Sequence, residues 1–545
     1  MKKSSFMEGA FIATFSILIC KIIGLLYVIP FYGIIGNKGG ALYSYAYSIY
    51  AIFLSLSTCG VPLAISKSIS EYNELGYHKT KKRTLKAGKT IILSLGILSF
   101  VILMIFAPQI AYLIIGDVQG GNTIADVSFA IRMVSLSVLV VPILSVTRGY
   151  LNGHKMLMPT SISEVIEQVV RVLVIVLGSY FVIKVLNLPV NIAVYVALFG
   201  ATVGAVVALL YLKRKMKKNK DSIKEESEHD PVLTTKEIYK KIIFYALPFV
   251  IIDLVRSAYG MVDSFTVVKS MVNLGYDVAV AETTIGVLNT WASKLNMIVA
   301  SVALGLVTSL IPNIAGSFAK GDMKDVNHKI NQSYKSLLFI VLPMSIGLSF
   351  LAQPVWVSFY GYDVLSINIF RFYILQAIIY CVYTVALNMA QTMNKTGISL
   401  GALFGSFILK MILNVPMMNL LHSIGIEAYY STIITNILVQ GGATIFIILA
   451  LKKQHKFSYR DTIKPFFKTS ISLIAMLTVL FLMIQVIPLT TTSRLSSILI
   501  IIPYALIGAL VYLFVAHKLK LIDDIFGSKF IKNIFDKIKS KVVRK

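Results

Sequence analysis

The chain alternates between long apolar runs and short polar connections. We count about fourteen runs that approach the length of about 20 residues needed for an α-helix to cross a bilayer. Their approximate bounds are 11–36, 41–66, 89–116, 126–150, 162–186, 190–212, 242–268, 283–311, 333–356, 366–391, 398–420, 428–451, 467–488 and 496–516. This pattern predicts an all-α polytopic membrane protein with about fourteen transmembrane helices.

The connections between the runs differ in charge in a regular way. Lys and Arg are concentrated in the second, sixth, eighth and twelfth connections, as in 79–86 and 213–220, whereas 116–125 and 357–369 carry almost none. Basic connections stay on the cytoplasmic side of a membrane. The alternation therefore predicts a multi-pass protein of the plasma membrane with both termini in the cytoplasm, and it requires an even number of crossings.

Similar stretches recur in the two halves of the chain. Residues 60–76 and 305–321 each end a crossing and enter a basic connection, and 153–163 resembles 391–401 in its position between crossings. Parallel repeats of this kind occur in transporters. The predicted parts are an N-terminal six-helix lobe (1–212), a cytoplasmic linker (213–241), a C-terminal six-helix lobe (242–451), two further crossings (452–516) and a basic amphipathic cytoplasmic tail (517–545) that lies on anionic lipid.

Composition supports a membrane protein. Of the 545 residues 57% are hydrophobic and only 14% are charged, and the mean hydropathy is +0.78. A soluble domain averages about 25% charged residues. The net charge of +27 is concentrated in the connections, which explains it without nucleic-acid binding. No enzyme signature is present, so the sequence indicates neither a catalytic residue nor a cofactor.

Small residues inside the runs indicate packing. Cys20, Cys59 and Cys381 all lie in apolar runs without paired spacing. We interpret them as core residues and not as disulfides or metal ligands. The Gly-x-x-x-Gly motifs at 200–204 and 401–405 predict close-packed helix faces.

Residues 247–267 form an apolar run that contains three charges. On a helix, the polar and small side chains of one arc of about 120° are Asp253, Arg256, Ser257, Gly260, Asp263 and Ser264. Each charge costs at least about 2.5–3.5 kcal/mol at the membrane centre, so this stripe is expected to face protein or water and to line a transport pathway. Arg256 either binds substrate or is balanced by Asp253. The aspartates either bind a coupling proton or sodium ion or only balance Arg256.

Lys21 and Lys294 lie inside the first and eighth runs. Each either snorkels to an interface, forms a structural ion pair, or faces a substrate cavity together with Arg256. Lys21 has no acid within one turn, which favours the cavity. The three cations are the candidate substrate-binding residues.

The fifth run begins with a polar face. Glu167 and Arg171 are spaced as an i,i+4 pair and are a candidate cytoplasmic gate. Arg148, at the end of the fourth run, either belongs to this gate or is an ordinary positive-inside charge. Ser161 and Glu164 have the spacing of a capping box that would start the fifth helix.

Four segments carry a resemblance to a known family: ICKIIGLLYVIPFYGIIGNKGGALYSYAY, TCGVPLAISKSISEYNELG, RGYLNGHKMLMPTSISEVIEQVVRV and GLVTSLIPNIAGSFAKGD. The stretch GVPLAISKSISEYN is the most specific of them. Over essentially its full length, the chain resembles polysaccharide-lipid exporters of the MOP superfamily, in the SpoVB/YtgP branch related to the MurJ lipid II flippases.

The resemblance implies translocation of an undecaprenyl-pyrophosphate-linked disaccharide-pentapeptide from the inner to the outer leaflet. Basic residues of the first and eighth crossings serve the pyrophosphate in MurJ-type proteins, and the matching positions here are Lys21 and Lys294. The family often has Arg at these places, and Met297 stands near the position where an acid commonly follows. The resemblance also implies an apolar groove for the polyprenyl tail after Phe466.

Residues and resemblance together predict a lipid II flippase that works by alternating access, coupled to protons, sodium or the membrane potential. One alternative is a flippase for another polyprenyl-linked unit. Another is a MATE-type small-molecule antiporter, which is disfavoured because the predicted cavity is mainly basic. A membrane glycosyltransferase or ligase is disfavoured because the exterior connections are short.

Overall fold

The computed structural model describes residues 6–58, 60–75, 77–116, 120–154, 156–218 and 233–526. These residues are helical almost throughout and contain no strand. Among them, ten helices are long and apolar enough to cross a membrane, and a bent helix pair adds an eleventh. The predicted all-α polytopic fold is confirmed, whereas the count of fourteen crossings stays a prediction.

Contacts divide the chain into two compact units, Met1–Trp291 and Ala292–Lys545. The helices of the first unit are α1 (Phe6–Leu26), α2 (Val28–Thr58), α3 (Val61–Glu74), α4 (His78–Ile115), α5 (Ile124–Gly153), α6 (Leu157–Leu173), α7 (Val190–Lys218), α8 (Thr235–Asn273) and α9 (Val278–Gly286). Three π-helical segments accompany them: Val174–Gly178, Phe181–Val185 and Val287–Trp291. The lobe boundaries predicted from the sequence stay a prediction.

The second unit is also made of helices. They are α10 (Ala292–Ala319), α11 (Met323–Phe350), α12 (Ala352–Tyr360), α13 (Val364–Tyr373), α14 (Gln376–Thr392), α15 (Thr396–Ser423), α16 (Ser431–His455), α17 (Arg460–Ile484), α18 (Arg494–Lys518) and α19 (Leu521–Phe526). Helix α11 packs on α10, α14 and α17, and α17 packs on α18.

The first two predicted crossings differ from the structure. The chain bends by 43° between Phe15–Leu26 and Val28–Ser55. Within α2, Gly36 has φ +62°, which a glycine adopts without the penalty of a side chain. The second crossing was predicted to reach residue 66, but α2 ends at Thr58 and a separate helix α3 follows. Gly60 allows this break because it adopts φ +77°, and a Cβ there would also lie 2.4 Å from the Ala246 carbonyl oxygen.

Helix α5 forms much of the core of the first unit, where it packs on α4, α7, α2 and α3. Helix α1 packs on α6, and α6 packs on α7. The seventh predicted crossing, now α8, packs on α2, α4 and α3. Lys21 on α1, Lys294 on α10 and Arg256 on α8 therefore lie on three helices that pack against different neighbours.

The two glycine motifs have different surroundings. A Cβ at Gly204 would lie 2.7 Å from the Glu167 carbonyl oxygen, so the predicted close approach of α7 to α6 is confirmed. Gly401 and Gly405 have no atom within 4 Å of a built Cβ among the described residues. The prediction of a close-packed face at 401–405 is wrong, because neither glycine closely approaches another helix in the part of the chain that the structure describes.

The tail lies mostly outside the described residues. Its first turn, α19, packs on α17, α18 and α11, and Leu521 and Ile525 are buried there. Asp524 forms an ion pair of 2.5 Å with Lys468 of α17. This turn therefore packs on protein, whereas contact of the tail with anionic lipid stays a prediction that falls mainly on 527–545, outside the residues that the structure describes.

Candidate transport site

The polar stripe of α8 is partly used for packing on α2. The hydroxyls of Ser257 and Ser55 are 2.7 Å apart, and Ser264 donates a hydrogen bond of 2.9 Å to Ser48. Asn289, in a π-helical turn, donates to the Ser264 hydroxyl and the Gly260 carbonyl oxygen at 3.2 Å each. Polar contacts of this kind join helices where water is excluded. Half of the stripe thus faces protein, as expected.

The charged residues of the stripe are placed differently from one another. Asp263 is buried, Asp253 is partly buried and Arg256 is exposed. Within the part of the chain that the structure describes, Arg256 and Asp253 form neither a hydrogen bond nor an ion pair. The interpretation that Asp253 neutralises Arg256 is therefore wrong for this conformation. An exposed guanidinium at this depth needs water or an anionic ligand, because hydrocarbon solvates it poorly.

Lys21 lies on α1, and contacts between α1 and α6 fix the position of this helix. Ser16 donates a hydrogen bond of 2.8 Å to the Ser161 carbonyl oxygen, and a Cβ at Gly24 would lie 3.2 Å from the Gln168 amide nitrogen. Lys21 itself is partly buried. Its ammonium has no hydrogen-bond or ion-pair partner among the described residues, so it is available to an anion.

The candidate gate residues are brought together in a new pairing. Arg148 Nη2 lies 2.8 Å from Glu167 Oε2, and Arg148 Nε donates a hydrogen bond of 2.8 Å to Ser163. Arg171 instead places its guanidinium carbon 5.7 Å from the ring centroid of Tyr47, within cation–π distance. The predicted Glu167–Arg171 pair is wrong, because the carboxylate turns towards α5.

The predicted capping box at Ser161 and Glu164 is also wrong. Helix α6 already begins at Leu157, after Met156, so both residues lie inside the helix. Glu164 is partly buried and has no hydrogen-bond or ion-pair partner among the described residues. Glu164 therefore does not cap α6. Among the described residues it is a carboxylate without an ion-pair partner, and it lies on α6, which packs against α1, the helix of Lys21.

Two further buried charged side chains were missed. Glu282, 4% exposed, accepts hydrogen bonds from the Asn122 backbone N–H (2.7 Å) and side-chain amide (2.9 Å). That amide also donates to the Lys38 carbonyl oxygen at 3.2 Å. Glu282 precedes the eighth predicted run and was taken as part of a connection. Lys410 lies on α15 and is 1% exposed. Its position as a charged residue within an apolar run could have marked it in the sequence as a candidate buried cation.

The second unit holds Lys294 and an apolar groove. Lys294 is partly buried on α10. The groove encloses about 430 Å³ between α11, α12, α17 and α18. Tyr504 and Tyr512 border it, and their hydroxyls donate to the carbonyl oxygens of Ile487 and Phe339 at 2.7 Å each. Because these polar groups are satisfied elsewhere, the groove presents an almost wholly apolar wall.

Asp253 and Asp263 do not form one ion site. They are ten residues apart on α8, which separates them by about 15 Å along the helix axis. No group of three or more His, Cys, Asp or Glu side chains that could hold a metal ion occurs among the described residues. The two aspartates therefore lie too far apart to share one bound ion.

Comparison with known proteins identifies relatives of this chain. A family model described as polysaccharide biosynthesis protein matches residues 6–318. The lipid II flippase MurJ of Bacillus subtilis (strain 168) is 31% identical over 541 residues, covering 96% of this chain and 97% of that protein.

Solved structures show the same fold. A structure of lipid II flippase MurJ in an inward closed conformation has a TM-score of 0.67 at 17% identity and covers 94% of this chain and 99% of that chain. An inward-facing multidrug resistance MATE transporter of the MOP superfamily has a TM-score of 0.63 at 15% identity, covering 80% and 96%. The chain therefore belongs to the polysaccharide biosynthesis protein family and is a relative of the lipid II flippase MurJ.

Proposed function

We propose that this protein moves the lipid-linked peptidoglycan precursor lipid II from the inner to the outer leaflet of the plasma membrane. The observation that carries the proposal is the pair of cations, Lys21 and Arg256, that have no acidic partner among the described residues of the first unit. The identity of 31% with a lipid II flippase over 96% of the chain supports it. The polar head of such a lipid cannot cross hydrocarbon without its solvation, so a carrier must supply compensating charges and hydrogen bonds.

The pyrophosphate is bound by Lys21, Arg256 and Lys294 in this proposal. An arginine binds phosphate oxygens through two parallel N–H groups, whereas a lysine acts as a compact point charge. Arg256 would therefore orient the pyrophosphate, and the lysines would supply attraction with less directional demand. Lys294 enters on the resemblance of its segment, SKLNM, to the family's eighth crossing.

The polyprenyl tail is accommodated outside the charged region. The groove of about 430 Å³ in the second unit, beside the crossings after Phe466, offers an apolar wall of the right chemistry for an isoprenoid chain. An apolar chain gains about 25 cal/mol for each Å² that it removes from water, so such a groove holds the tail while the head is transferred.

The driving force acts on α8. Asp253 and Asp263 are the candidate coupling carboxylates, each able to take up a proton or to ligate one sodium ion with serine and carbonyl oxygens. A fixed charge that moves through the membrane potential gains about 2.3 kcal/mol per 100 mV, so charged side chains on α8 could also sense the potential directly. A carboxylate that must bind and release an ion in each cycle does not tolerate amide replacement.

The Arg148–Glu167 ion pair is the proposed gate. It joins the last turns of α5 to the middle of α6, beside the helix that carries Lys21. Arg171 would be retained against Tyr47 while the pair opens. In this proposal the basic connections and both termini lie in the cytoplasm, so the gate controls entry from that side.

Growth of cells depleted of their own lipid II flippase tests the proposal. The wild-type chain should restore growth and outer-leaflet labelling of lipid II, and K21A or R256A should lower the labelling rate about 10–100-fold, which corresponds to the loss of one charge-assisted hydrogen bond. K21R should retain much of the rate. K464A removes an exposed lysine elsewhere and serves as the matched control.

Normal labelling by both K21A and R256A, at equal membrane abundance, would remove these residues from the site. A wild-type chain that restores labelling of another polyprenyl-linked glycan but not of lipid II would replace the substrate while keeping the mechanism. Export of a cationic drug without either lipid would instead favour the MATE-type alternative.

A further inference from the structure

A basic groove runs along the first turns of α4. It encloses about 340 Å³ and is lined by Lys82, Leu85, Lys86, Lys89, Thr90 and Leu93. The three lysines follow each other at i, i+4 and i+7, which places them on one face of the helix. The groove therefore presents a row of ammonium groups on one side of the chain, outside the proposed transport site.

The charge of this groove is not neutralised by the protein. Lys82, Lys86 and Lys89 form no ion pair with an acid in the described part of the chain. Lys213, at the end of α7, adds its positive charge to the field at Lys89. Like charges held close together repel one another, and an anionic ligand relieves that repulsion. An anion is therefore the complementary occupant.

The same face of α4 becomes apolar towards the membrane. Leu93 is 42% exposed and Ile97, one turn further, is 46% exposed. Both lie in a helix long and apolar enough to span a bilayer, where exposed apolar side chains face acyl chains. A basic groove that continues into an apolar strip complements a lipid, which has an anionic headgroup and apolar acyl chains. It does not complement a soluble acidic peptide, which has no acyl chain.

Thr90 stands between the two regions. Its hydroxyl donates a hydrogen bond of 3.0 Å to the Lys86 carbonyl oxygen, which leaves the oxygen free to accept. A headgroup with a hydroxyl, such as glycerol, can donate to it. Choline has no such donor and carries a positive charge that the lysines repel.

We propose that this groove binds the headgroup of an anionic glycerophospholipid from the surrounding membrane. The phosphate lies among Lys82, Lys86 and Lys89, the headgroup hydroxyl donates to Thr90, and one acyl chain follows Leu93 and Ile97. The site is independent of flippase activity.

A tryptophan reporter tests the site. The chain has two tryptophans, Trp291 and Trp356, and both are fully buried. L93W therefore introduces an exposed indole at the groove. In nanodiscs, phosphatidylglycerol brominated on its acyl chains should quench this emission more strongly than brominated phosphatidylcholine at equal mole fraction, and added salt should reduce the difference.

The charge dependence of the quenching identifies the ligand's contacts. K82Q/K86Q/K89Q in the L93W background should weaken the preference for phosphatidylglycerol about tenfold or more. The control K452Q/K453Q/K456Q removes the same number of exposed lysines at the C-terminal end of α16 and should leave the preference unchanged. K86Q alone is a milder variant, and the emission of the two native tryptophans checks that each variant is folded.

Equal quenching by the two lipids would overturn the proposal. An equal loss of preference in the two triple variants would assign the effect to net charge and also overturn it. Displacement of brominated phosphatidylglycerol by millimolar glycerol phosphate would show a soluble phosphate as the ligand in place of a membrane lipid.

Discussion

The matched glycines of α7 and α15 allow a sharp test of the helix packing that positions the gate. Both Gly204 and Gly405 close a Gly-x-x-x-Gly motif within a predicted crossing. A Cβ at Gly204 would lie 2.7 Å from the Glu167 carbonyl oxygen and 3.3 Å from the Arg171 backbone nitrogen, whereas a Cβ at Gly405 meets nothing within 4 Å in the described residues. Replacing each glycine by alanine should therefore have opposite effects.

The magnitudes follow from two opposing contributions. Alanine is more favourable than glycine in a helix by about 1 kcal/mol. Overpacking a close contact costs about 1–3 kcal/mol, and here the obstacle is backbone that cannot rotate away. G405A should raise the free energy of unfolding by up to about 1 kcal/mol, whereas G204A should leave it unchanged or lower it by up to about 2 kcal/mol. The difference between the variants isolates the contact.

Reversible unfolding of the purified protein in mixed detergent and SDS micelles measures this difference. G204A should also weaken restoration of growth in flippase-depleted cells, because separating α7 from α6 displaces the segment that carries Glu167 and Arg171. G405A should restore growth fully. Equal unfolding free energies for the two variants would refute the close approach of α6 and α7.

Two further predictions concern charged side chains. The side chains of Arg148 and Glu167 are 15% and 20% exposed. Removing either partner should therefore lower the free energy of unfolding by about 2 kcal/mol, a value between those for exposed and buried ion pairs. A double-mutant cycle with R148A and E167A should show a coupling energy, and strict additivity of the two effects would contradict the pairing. At the start of α8, hydrogen bonds from the Thr234 backbone and hydroxyl hold the pKa of Glu237 below its usual value of 4.5. This cap stabilises the first turn of α8 above pH 4.5, and the stabilisation is lost as the pH falls through the lowered pKa of Glu237. Hydrogen exchange of the amides in this turn, corrected for intrinsic exchange, should therefore become faster in acid for the wild type. The pH dependence should disappear in E237Q, and its persistence there would assign the effect to another titrating group.

The sequence by itself determined the class of the fold. Apolar runs of membrane-spanning length fold as helices because, in hydrocarbon, a segment must satisfy its own backbone hydrogen bonds, although several of the predicted runs are divided between two helices. Local spacing alone did not identify the helix caps: the box predicted at Ser161 and Glu164 lies inside α6, whereas Thr234 and Glu237 form a capping box at the N-terminus of α8. Hydropathy also marks Lys21 and Arg256 as charged exceptions within apolar runs, and the structure places these residues on the helices α1 and α8.

Only the tertiary structure decided which side chains meet. Glu167 has Arg171 one turn away on its own helix, yet it pairs with Arg148, because the turn between α5 and α6 folds that arginine back onto it. The motifs at Gly204 and Gly405 are alike in spacing, and only the presence of α6 beside the first makes it a contact. Spacing specifies the face of a helix, whereas the partner of that face depends on how distant segments pack.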